Sequence, residues 1–425
     1  MLLEILYGSV YEESGNFIAF IFFLLYEKLI PTRFEPMEKR FNIWMITKWY
    51  PNREDPQFGV FIQKHARAIS QYNNISVLYI HSFFNLPDDF EIDEKENYGL
   101  KEIIIYFRKN TSAIGKIINI FRYLSALKKG LRILNKRNSE PQIIHAYILT
   151  RTGFIAWYLS WRKKIPFVIS EQWSGYLTGK YLRSTLIKKM ITRFIVSKAA
   201  SVICVSSFLL KRMKECGLKN SAYQVIPNVI EDVSQSSLTI NKNQINVLMV
   251  ADLVDEIKNI SGVIRMISQL EDDILFHLRI IGGGPDEGKL KKLAASFNLL
   301  DRKIFFEGLK DNAEVYTYLQ RCDFLIMNSR YETFSLICAE AMSCGKPVLA
   351  TTCGGPNEFV NAETGLLIEP DNDAELKKNF LYMLRHFQSY DPVQITNYAN
   401  ELFSMRKVGQ AFQKLYSSII SQENY

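Results

Sequence analysis

YETFSLICAEAMSCGKPVLATTCGGPNEFV, residues 331–360, is the stretch from which the fold of this chain can be derived. The apolar runs at 323–327 and 346–351 are typical of buried strands. Between them the pattern predicts a helix over about 335–344, with Gly345 as its C-terminal cap. A strand, a loop, a helix and a second strand in this order form the repeating unit of a parallel α/β sheet.

Two acidic residues of this stretch, Glu332 and Glu340, flank a predicted anion site. Glu332 follows a strand at its carboxyl end, the edge at which open α/β sheets bind ligands. The N–H groups that open the helix suit a phosphate, and they belong to Thr333, Phe334, Ser335 and Leu336. Glu340 lies inside the helix, so the two carboxylates can reach opposite sides of a nucleotide-sugar. A bare pair of glutamates at this spacing is more often a helix cap and a solvated face.

The surrounding run favours the nucleotide-sugar interpretation. E-x-F-S-L-x-x-x-E-A-M-x-x-G-x-P-V-x-A-T, followed by Gly354, Gly355 and Glu358, resembles the donor-binding signature of the retaining family 4 glycosyltransferases of the GT-B fold. The resemblance implies that Glu332 holds sugar hydroxyls and that Glu340 holds the ribose. The family often has Gly where this chain has Ser335, and Ser keeps the backbone N–H.

Length and composition allow two or three domains with large cores. The chain has 425 residues, of which 48% are hydrophobic and 23% are charged. The six cysteines show no C-x-x-C spacing and the five histidines no H-E-x-x-H pattern, which argues against a disulfide or zinc framework. We therefore expect neither a metal nor a cofactor, with the nucleotide-sugar acting as a co-substrate.

The positive charge is concentrated in one part of the chain. Residues 101–220 hold 24 Lys and Arg against 4 Asp and Glu, within a net charge of +8 for the whole chain. This imbalance predicts an anionic partner. The sequence has no nucleic-acid-binding motif, and its basic pairs occur near Trp, Tyr and Leu, which favours an anionic membrane surface. A solvated basic surface is the alternative.

Residues 1–36 precede the first predicted strand of the α/β pattern and form an N-terminal extension. Its apolar run, 17–26, would span only about 15 Å as a helix, half a bilayer core. The preceding residues contain Glu and no Lys or Arg, unlike a signal peptide. The segment is either a short interfacial helix or sequence upstream of a start at Met37, and we favour the second interpretation. With no predicted transmembrane helix, we expect a cytoplasmic protein that can bind the inner face of a membrane peripherally.

The rest of the chain predicts two α/β domains. Residues 37–230 form a first Rossmann-like domain and 245–390 a second, joined by the polar linker 231–244. The tail, 391–425, is predicted to be helical, and in the resembled family the last helix crosses back onto the first domain. The resemblance thus implies a GT-B fold, an α/β architecture in which two Rossmann-like domains face each other across a cleft.

Four residues are candidates for the acceptor side of that cleft. Lys48 and Gly59 lie in the first loop, which in the family closes against the diphosphate and the acceptor. His145 ends a predicted strand and Gln172 follows the next. The family commonly has His-x-His at the first place and a His at the second, so this chain keeps one histidine of three. His145 is as well explained as a core residue, and a histidine base is not expected.

The donor side is expected to hold the diphosphate. The family has Arg and Lys after the first strand of the second domain; Lys258 fits the Lys, but Asp252 replaces the Arg. Lys258 should then carry more of the phosphate charge, together with the helix-start amides. The strand-end glycines Gly283, Gly284 and Gly308 match positions at which the family's backbone lies near the nucleotide base. Gly354 and Gly355 are expected to let the backbone approach the sugar.

The resemblance implies a retaining glycosyltransferase that moves a sugar from a UDP- or GDP-linked donor to a lipid-linked or growing saccharide acceptor, in cell-surface polysaccharide or lipopolysaccharide synthesis. Two alternatives stay open. One is a GT-B nucleotide-sugar epimerase or hydrolase. The other is a non-catalytic nucleotide-sugar-binding partner, which Asp252 and Gln172 would favour.

Overall fold

The computed structural model describes residues 39–97, 99–136, 140–149, 151–231 and 244–423. The predicted extension 1–36 lies outside the described residues, as does nearly all of the predicted linker 231–244. From Phe41 onward the described chain forms one compact unit. It contains two separate, mainly parallel sheets with helices around them, the two-domain α/β architecture that the sequence predicts.

The first sheet has eight strands in the order β3-β4-β2-β1-β5-β6-β7-β8. Its strands are β1 (Asn42–Thr47), β2 (Asn74–Phe83), β3 (Phe90–Asn97), β4 (Leu100–Arg108), β5 (Ile143–Tyr147), β6 (Phe167–Glu171), β7 (Ser201–Cys204) and β8 (Tyr223–Val225). All neighbours are parallel except β3, which pairs antiparallel with β4. The sequence did not predict β3, because its charged residues lack the apolar pattern of a buried strand; such charge protects an exposed sheet edge.

The second sheet has six parallel strands in the order β11-β10-β9-β12-β13-β14. They are β9 (Ile245–Val250), β10 (Phe276–Ile281), β11 (Ile304–Gly308), β12 (Phe324–Met327), β13 (Val348–Thr351) and β14 (Gly365–Ile368). The strand order reverses between β9 and β12, and in the first sheet between β1 and β5. Ligands of open α/β sheets bind beyond the carboxyl ends of strands at such reversals.

Helices cover both sheets. In the first domain they are α1 (Val60–Ser70), α2 (Gly115–Lys136), α3 (Arg151–Lys163), α4 (Leu186–Lys198) and α5 (Ser207–Glu215). Those that follow are α6 (Asp255–Lys258), α7 (Ile260–Ser268), α8 (Glu287–Ser296), α9 (Asn312–Arg321), α10 (Leu336–Ser343), α11 (Asp373–His386), α12 (Pro392–Phe403) and α13 (Met405–Glu423). The helix predicted at about 335–344 is α10, and Gly345 after it has the left-handed φ of 72° expected of a C-terminal cap.

The last helix returns to the first domain, which confirms the expected crossover. Phe412 and Tyr416 of α13 are fully buried in the same core as Ile62 and Ile69 of α1. In the described part of the chain, no helix combines the length and the apolar character that crossing a bilayer requires.

Candidate active site

A half-buried ion pair joins two loops at the strand reversal of the second sheet. Lys258 ends α6 after β9, and Glu332 follows the neighbouring strand β12. The Lys258 Nζ lies 2.6 Å from Glu332 Oε1, which also accepts a hydrogen bond of 2.9 Å from Ser329. Burial alone would lower the pKa of Lys258, but the charge and hydrogen bond of Glu332 outweigh it and raise that pKa. Lys258 is therefore a fixed cation, and Glu332 a fixed acceptor of hydrogen bonds.

Glycines allow a second loop to approach Glu332 closely. The Glu332 N–H donates to Cys353 O at 3.1 Å, and the Gly355 N–H donates to Glu332 O at 3.1 Å. A Cβ on Gly354 would lie 2.4 Å from Glu332 O, and one on Gly355 would lie 2.3 Å from the Phe334 Cα. Only glycine fits at both positions, so the loop after β13 supports the loop that carries Glu332.

The start of α10 presents backbone donors beside this pair. Within the described residues, the N–H groups of Thr333, Phe334 and Ser335 have no hydrogen-bond partner. Ser335 takes a left-handed conformation with φ 70° and ψ 75°. This conformation favours Gly and explains the residue usual in the family, while Ser335 keeps the unpaired N–H. The arrangement can bind an anion next to Lys258.

Glu340 lies on the other side of those amides and is paired across the cleft. Its Oε1 is 2.8 Å from Nζ of Lys64, a residue of α1 in the first domain. Lys64 is 1% exposed and Glu340 6% exposed, so the pair is buried rather than part of a solvated helix face. The sequence analysis missed Lys64, although a lysine within the apolar stripe of Ile62, Ala66 and Ile69 is a usable signal of a buried partner.

A second set of interdomain contacts lies at the start of α5. The Ser206 hydroxyl donates to Thr333 O at 2.6 Å. Glu358 accepts hydrogen bonds from the N–H groups of Ser207 at 2.9 Å and Phe208 at 2.7 Å. A carboxylate is stabilised at a helix N-terminus, so Glu358 ties the second domain to the first rather than reaching a ligand.

The remaining donor-side glycines support the neighbouring loop. The Leu253 N–H donates to Gly283 O at 3.0 Å, and a Cβ on Gly284 would lie 2.7 Å from Leu253 O. Gly308 ends β11 with a left-handed φ of 72°, and its carbonyl accepts from Gly282 N–H at 2.9 Å. Asp252, adjacent to Leu253, interacts electrostatically with Lys258. The site therefore holds one lysine and one aspartate where the family has two cations.

On the other side of the cleft, Lys48 and Gly59 belong to one tightly folded loop. A Cβ on Gly59, which has φ 71°, would lie 2.7 Å from the carbonyl carbon of Trp49. The Lys48 Nζ lies 5.5 Å from the ring centre of Trp49. Burial lowers the pKa of Lys48, while the nearby charge of Glu171 raises it. Lys48 directly follows β1 and therefore lies at the carboxyl edge of the first sheet.

His145 does not lie on the predicted acceptor surface. It is 0% exposed, and its ring nitrogens are 2.7 Å from the Tyr416 hydroxyl and 2.8 Å from the Ser170 hydroxyl. Burial holds the pKa of His145 well below its usual value. The structure corrects the acceptor-side expectation: this histidine joins the first sheet to α13 as a core residue.

Gln172 lies at the carboxyl end of β6 and is also buried, at 7% exposure. Its N–H donates to Glu171 Oε1 at 2.8 Å, and among the described residues its side-chain Nε2 has no hydrogen-bond partner. Glu171 also accepts from the N–H groups of Leu149 and Trp173. This carboxylate organises the loop, and the Gln172 amide is a buried donor without a partner among the described residues.

Two protein-family models together match most of the chain. The model of the glycosyl transferases group 1 matches residues 231–399, and the model of glycosyltransferase family 4 matches residues 87–233. The chain is 27% identical to an uncharacterized glycosyltransferase of Methanocaldococcus jannaschii, over 69% of this chain and 78% of that protein. It is 23% identical to the putative teichuronic acid biosynthesis glycosyltransferase TuaC of Bacillus subtilis, over 83% of this chain and 91% of that protein.

Structural comparison agrees with the fold described above. The chain is similar to Anabaena HepE in complex with UDP and glucose, with a TM-score of 0.66 and 16% identity. The similarity covers 89% of this chain and 100% of HepE. It confirms the expected GT-B architecture of two parallel-sheet domains.

Proposed function

This chain belongs to the group 1 glycosyltransferases of family 4, and from that premise we propose that it moves a sugar from a nucleoside diphosphate sugar to a saccharide acceptor with retention of configuration. The observation that carries the proposal is the Glu332–Lys258 pair beside the free amides of α10. A donor needs a cation and N–H groups for its diphosphate and a carboxylate for its sugar hydroxyls. Two neighbouring loops supply all three: Lys258 ends α6 after β9, and Glu332 and the α10 amides follow β12.

The proposed chemistry follows from the position of each group. Lys258 and the α10 amides stabilise the negative charge that develops on the leaving diphosphate. Glu332 accepts hydrogen bonds from the sugar while positive charge builds on its ring. We also propose that Glu340, which pairs with Lys64 in the ligand-free structure, accepts hydrogen bonds from the ribose when the donor binds. Asp252 cannot neutralise phosphate, so Lys258 carries the larger share.

We propose a lipid-linked or growing cell-surface saccharide as the acceptor and an anionic membrane surface as the place of reaction. The similarity to TuaC supports a polysaccharide acceptor. More than half of the large apolar side chains exposed in the described chain lie between residues 114 and 194, within the basic part of the sequence. Exposed apolar groups among lysines and arginines are typical of surfaces that bind anionic lipids.

The test is a screen of the full-length protein against UDP-, GDP- and other nucleoside diphosphate sugars by thermal shift, followed by a transfer assay with the stabilising donor. A bound donor raises the melting temperature by mass action. Transfer of sugar to an acceptor supports the proposal. Donor hydrolysis or epimerisation with no transfer would favour the epimerase or hydrolase alternative, and binding without any turnover would favour a non-catalytic partner.

Lys258→Ala is expected to weaken donor binding by about 10- to 100-fold, because a hydrogen bond to a charged group contributes about 1.5–3 kcal/mol. Lys129→Ala is the matched control, since Lys129 is an exposed lysine of α2 in the other domain. Isothermal titration with the donor identified in the screen measures both affinities. Equal donor affinity in the two variants would show that Lys258 does not bind the diphosphate.

We further propose that transfer requires no divalent metal, because Lys258 and the α10 amides supply the positive charge that the diphosphate needs. Excess EDTA is then expected to leave the transfer rate unchanged, and added Mg²⁺ or Mn²⁺ should not raise it. The assay is the initial rate of sugar transfer with and without chelator. A loss of activity that Mg²⁺ or Mn²⁺ restores would contradict this prediction.

A further inference from the structure

The first domain has an open apolar groove that the proposed donor site does not use. It lies between α2 and α3 and encloses about 580 Å³, a volume within the range of about 300–1,000 Å³ typical of small-molecule sites. Its apolar lining comes from Phe107, Ile120, Leu124, Leu127, Phe154 and Ile191.

The groove continues along the same two helices. A second hollow of about 440 Å³ shares Leu124 and Leu127 with the first, and Trp44, Leu131 and Leu159 add to its lining. The two hollows form one apolar path, here called the α2–α3 groove. Its far end is lined by four basic residues, Lys128, Arg132, Arg162 and Lys163.

The near end of the α2–α3 groove carries a cation at the edge that faces the second domain. Arg151, the first residue of α3, lines this end, and its guanidinium stacks 4.0 Å from the Tyr123 ring centre. Thr47 of β1 pairs with Tyr147 of β5, so Lys48 and Arg151 follow adjacent strand ends. Ser206 follows β7 at the same edge and contacts Thr333 across the cleft.

We propose that the α2–α3 groove binds the hydrocarbon chain of a lipid-linked acceptor, with the lipid phosphate held by Arg151 at the cleft end. This proposal rests on the proposed function, in which the acceptor saccharide meets the donor in the cleft. An apolar chain gains free energy by leaving water for such a lining. The guanidinium is suited to the phosphate that joins lipid to sugar. Among the described residues that line this hollow, none is acidic.

The charge pattern favours this occupant over a neutral one. Burial lowers the pKa of Lys48; the charge of Glu171 raises it, and the nearby positive charges of Arg151 and Lys188 lower it. Three cations therefore lie near one carboxylate at this edge. Such a concentration of cations attracts an anion. The apolar run at 17–26, a second copy of the chain and a plain bilayer are the other candidates for covering the groove, and the experiment separates them.

The experiment measures binding of farnesyl phosphate to the full-length protein by isothermal titration, below the concentration at which the lipid forms micelles. We expect wild type to bind farnesyl phosphate at least about tenfold more tightly than farnesol or inorganic phosphate. Leu124→Gln and Arg151→Gln should each weaken that binding by about tenfold. Leu402→Gln, which changes an exposed leucine of α12, is the matched control. Because these side chains are exposed, the melting temperatures should stay those of wild type.

Four results would overturn the proposal. The first is equal affinity of wild type and Leu124→Gln for farnesyl phosphate. The second is binding of farnesyl phosphate by Ile21→Asp but not by wild type, which would show that the apolar run at 17–26 fills the groove. The third is a wild-type dimer that Leu124→Gln dissociates and that binds no lipid. The fourth is equal binding to phosphatidylglycerol vesicles with and without farnesyl phosphate, which would indicate the bilayer alone.

Binding of UDP and GDP to the same samples separates this proposal from the proposed function. If the protein binds a nucleoside diphosphate but not farnesyl phosphate, the groove assignment alone fails. If it binds farnesyl phosphate in the expected pattern but no nucleotide, the groove is a lipid site and the glycosyl-transfer proposal fails.

Discussion

Glu332→Ala is expected to reduce sugar transfer to the background of the assay, a loss of at least about 10²–10³-fold. The substitution removes the carboxylate proposed to bind the sugar, and it also frees Lys258 from its partner at 2.6 Å. Both changes act on groups that stabilise charge in the transition state. The measurement is kcat/KM for transfer, with the donor identified by the thermal-shift screen.

Two controls make this prediction specific. Glu369→Ala removes an exposed glutamate of the same domain and should leave transfer unchanged. Circular dichroism and the melting temperature should show that Glu332→Ala is folded, because Glu332 lies in a loop held by its backbone hydrogen bonds to Cys353 and Gly355. Unchanged turnover in Glu332→Ala would remove the role assigned to this residue.

Lys64→Ala is expected to destabilise the protein by about 3–5 kcal/mol, because it leaves the buried carboxylate of Glu340 without its cation. Lys64 also lies 3.7 Å from Glu231 and 5.7 Å from the Tyr316 ring centre, so its removal affects the junction between the domains as well. For a compact unit of this size, the melting temperature should fall by about 4–6 °C. Differential scanning calorimetry of the ligand-free variant measures this change.

The double variant Lys64→Met and Glu340→Gln tests whether the unpaired carboxylate of Glu340 causes the loss of stability in Lys64→Ala. A neutral pair of similar volume needs no compensating charge, so most of the lost stability should return. Lys292→Ala, which changes an exposed lysine of α8, should have the melting temperature of wild type. If Lys64→Ala melted at the wild-type temperature, the pair would contribute nothing to stability.

Local patterns in the sequence were sufficient to predict much of the second domain. The unit from β12 through α10 to β13 could be predicted because two short apolar runs and a capping glycine bound one helix. The resemblance assigned Glu332 and Lys258 to one donor site, and in the structure the two side chains form an ion pair. The edge strand β3 was not predicted, since solvent-facing residues carry no periodic apolar signal.

Contacts between the domains could not be predicted in the same way. The sequence of α1 shows a lysine in an apolar stripe, but nothing local identifies Glu340, 276 residues later, as its partner. His145 illustrates the opposite difficulty. A histidine at a strand end resembles a catalytic group in sequence, and only the return of α13, which places Tyr416 beside it, shows that it is structural.

The crossover of α13 also bears on how the protein is made. The ribosome synthesises every strand of the first sheet long before Met405, and the second domain lies between them. Until α13 emerges, His65 and His145 lack the ring of Phe412 that packs against both of them. The first domain to leave the ribosome is thus the last to complete its core, and translation that stops before α13 would release a chain with that apolar surface exposed to chaperones and proteases.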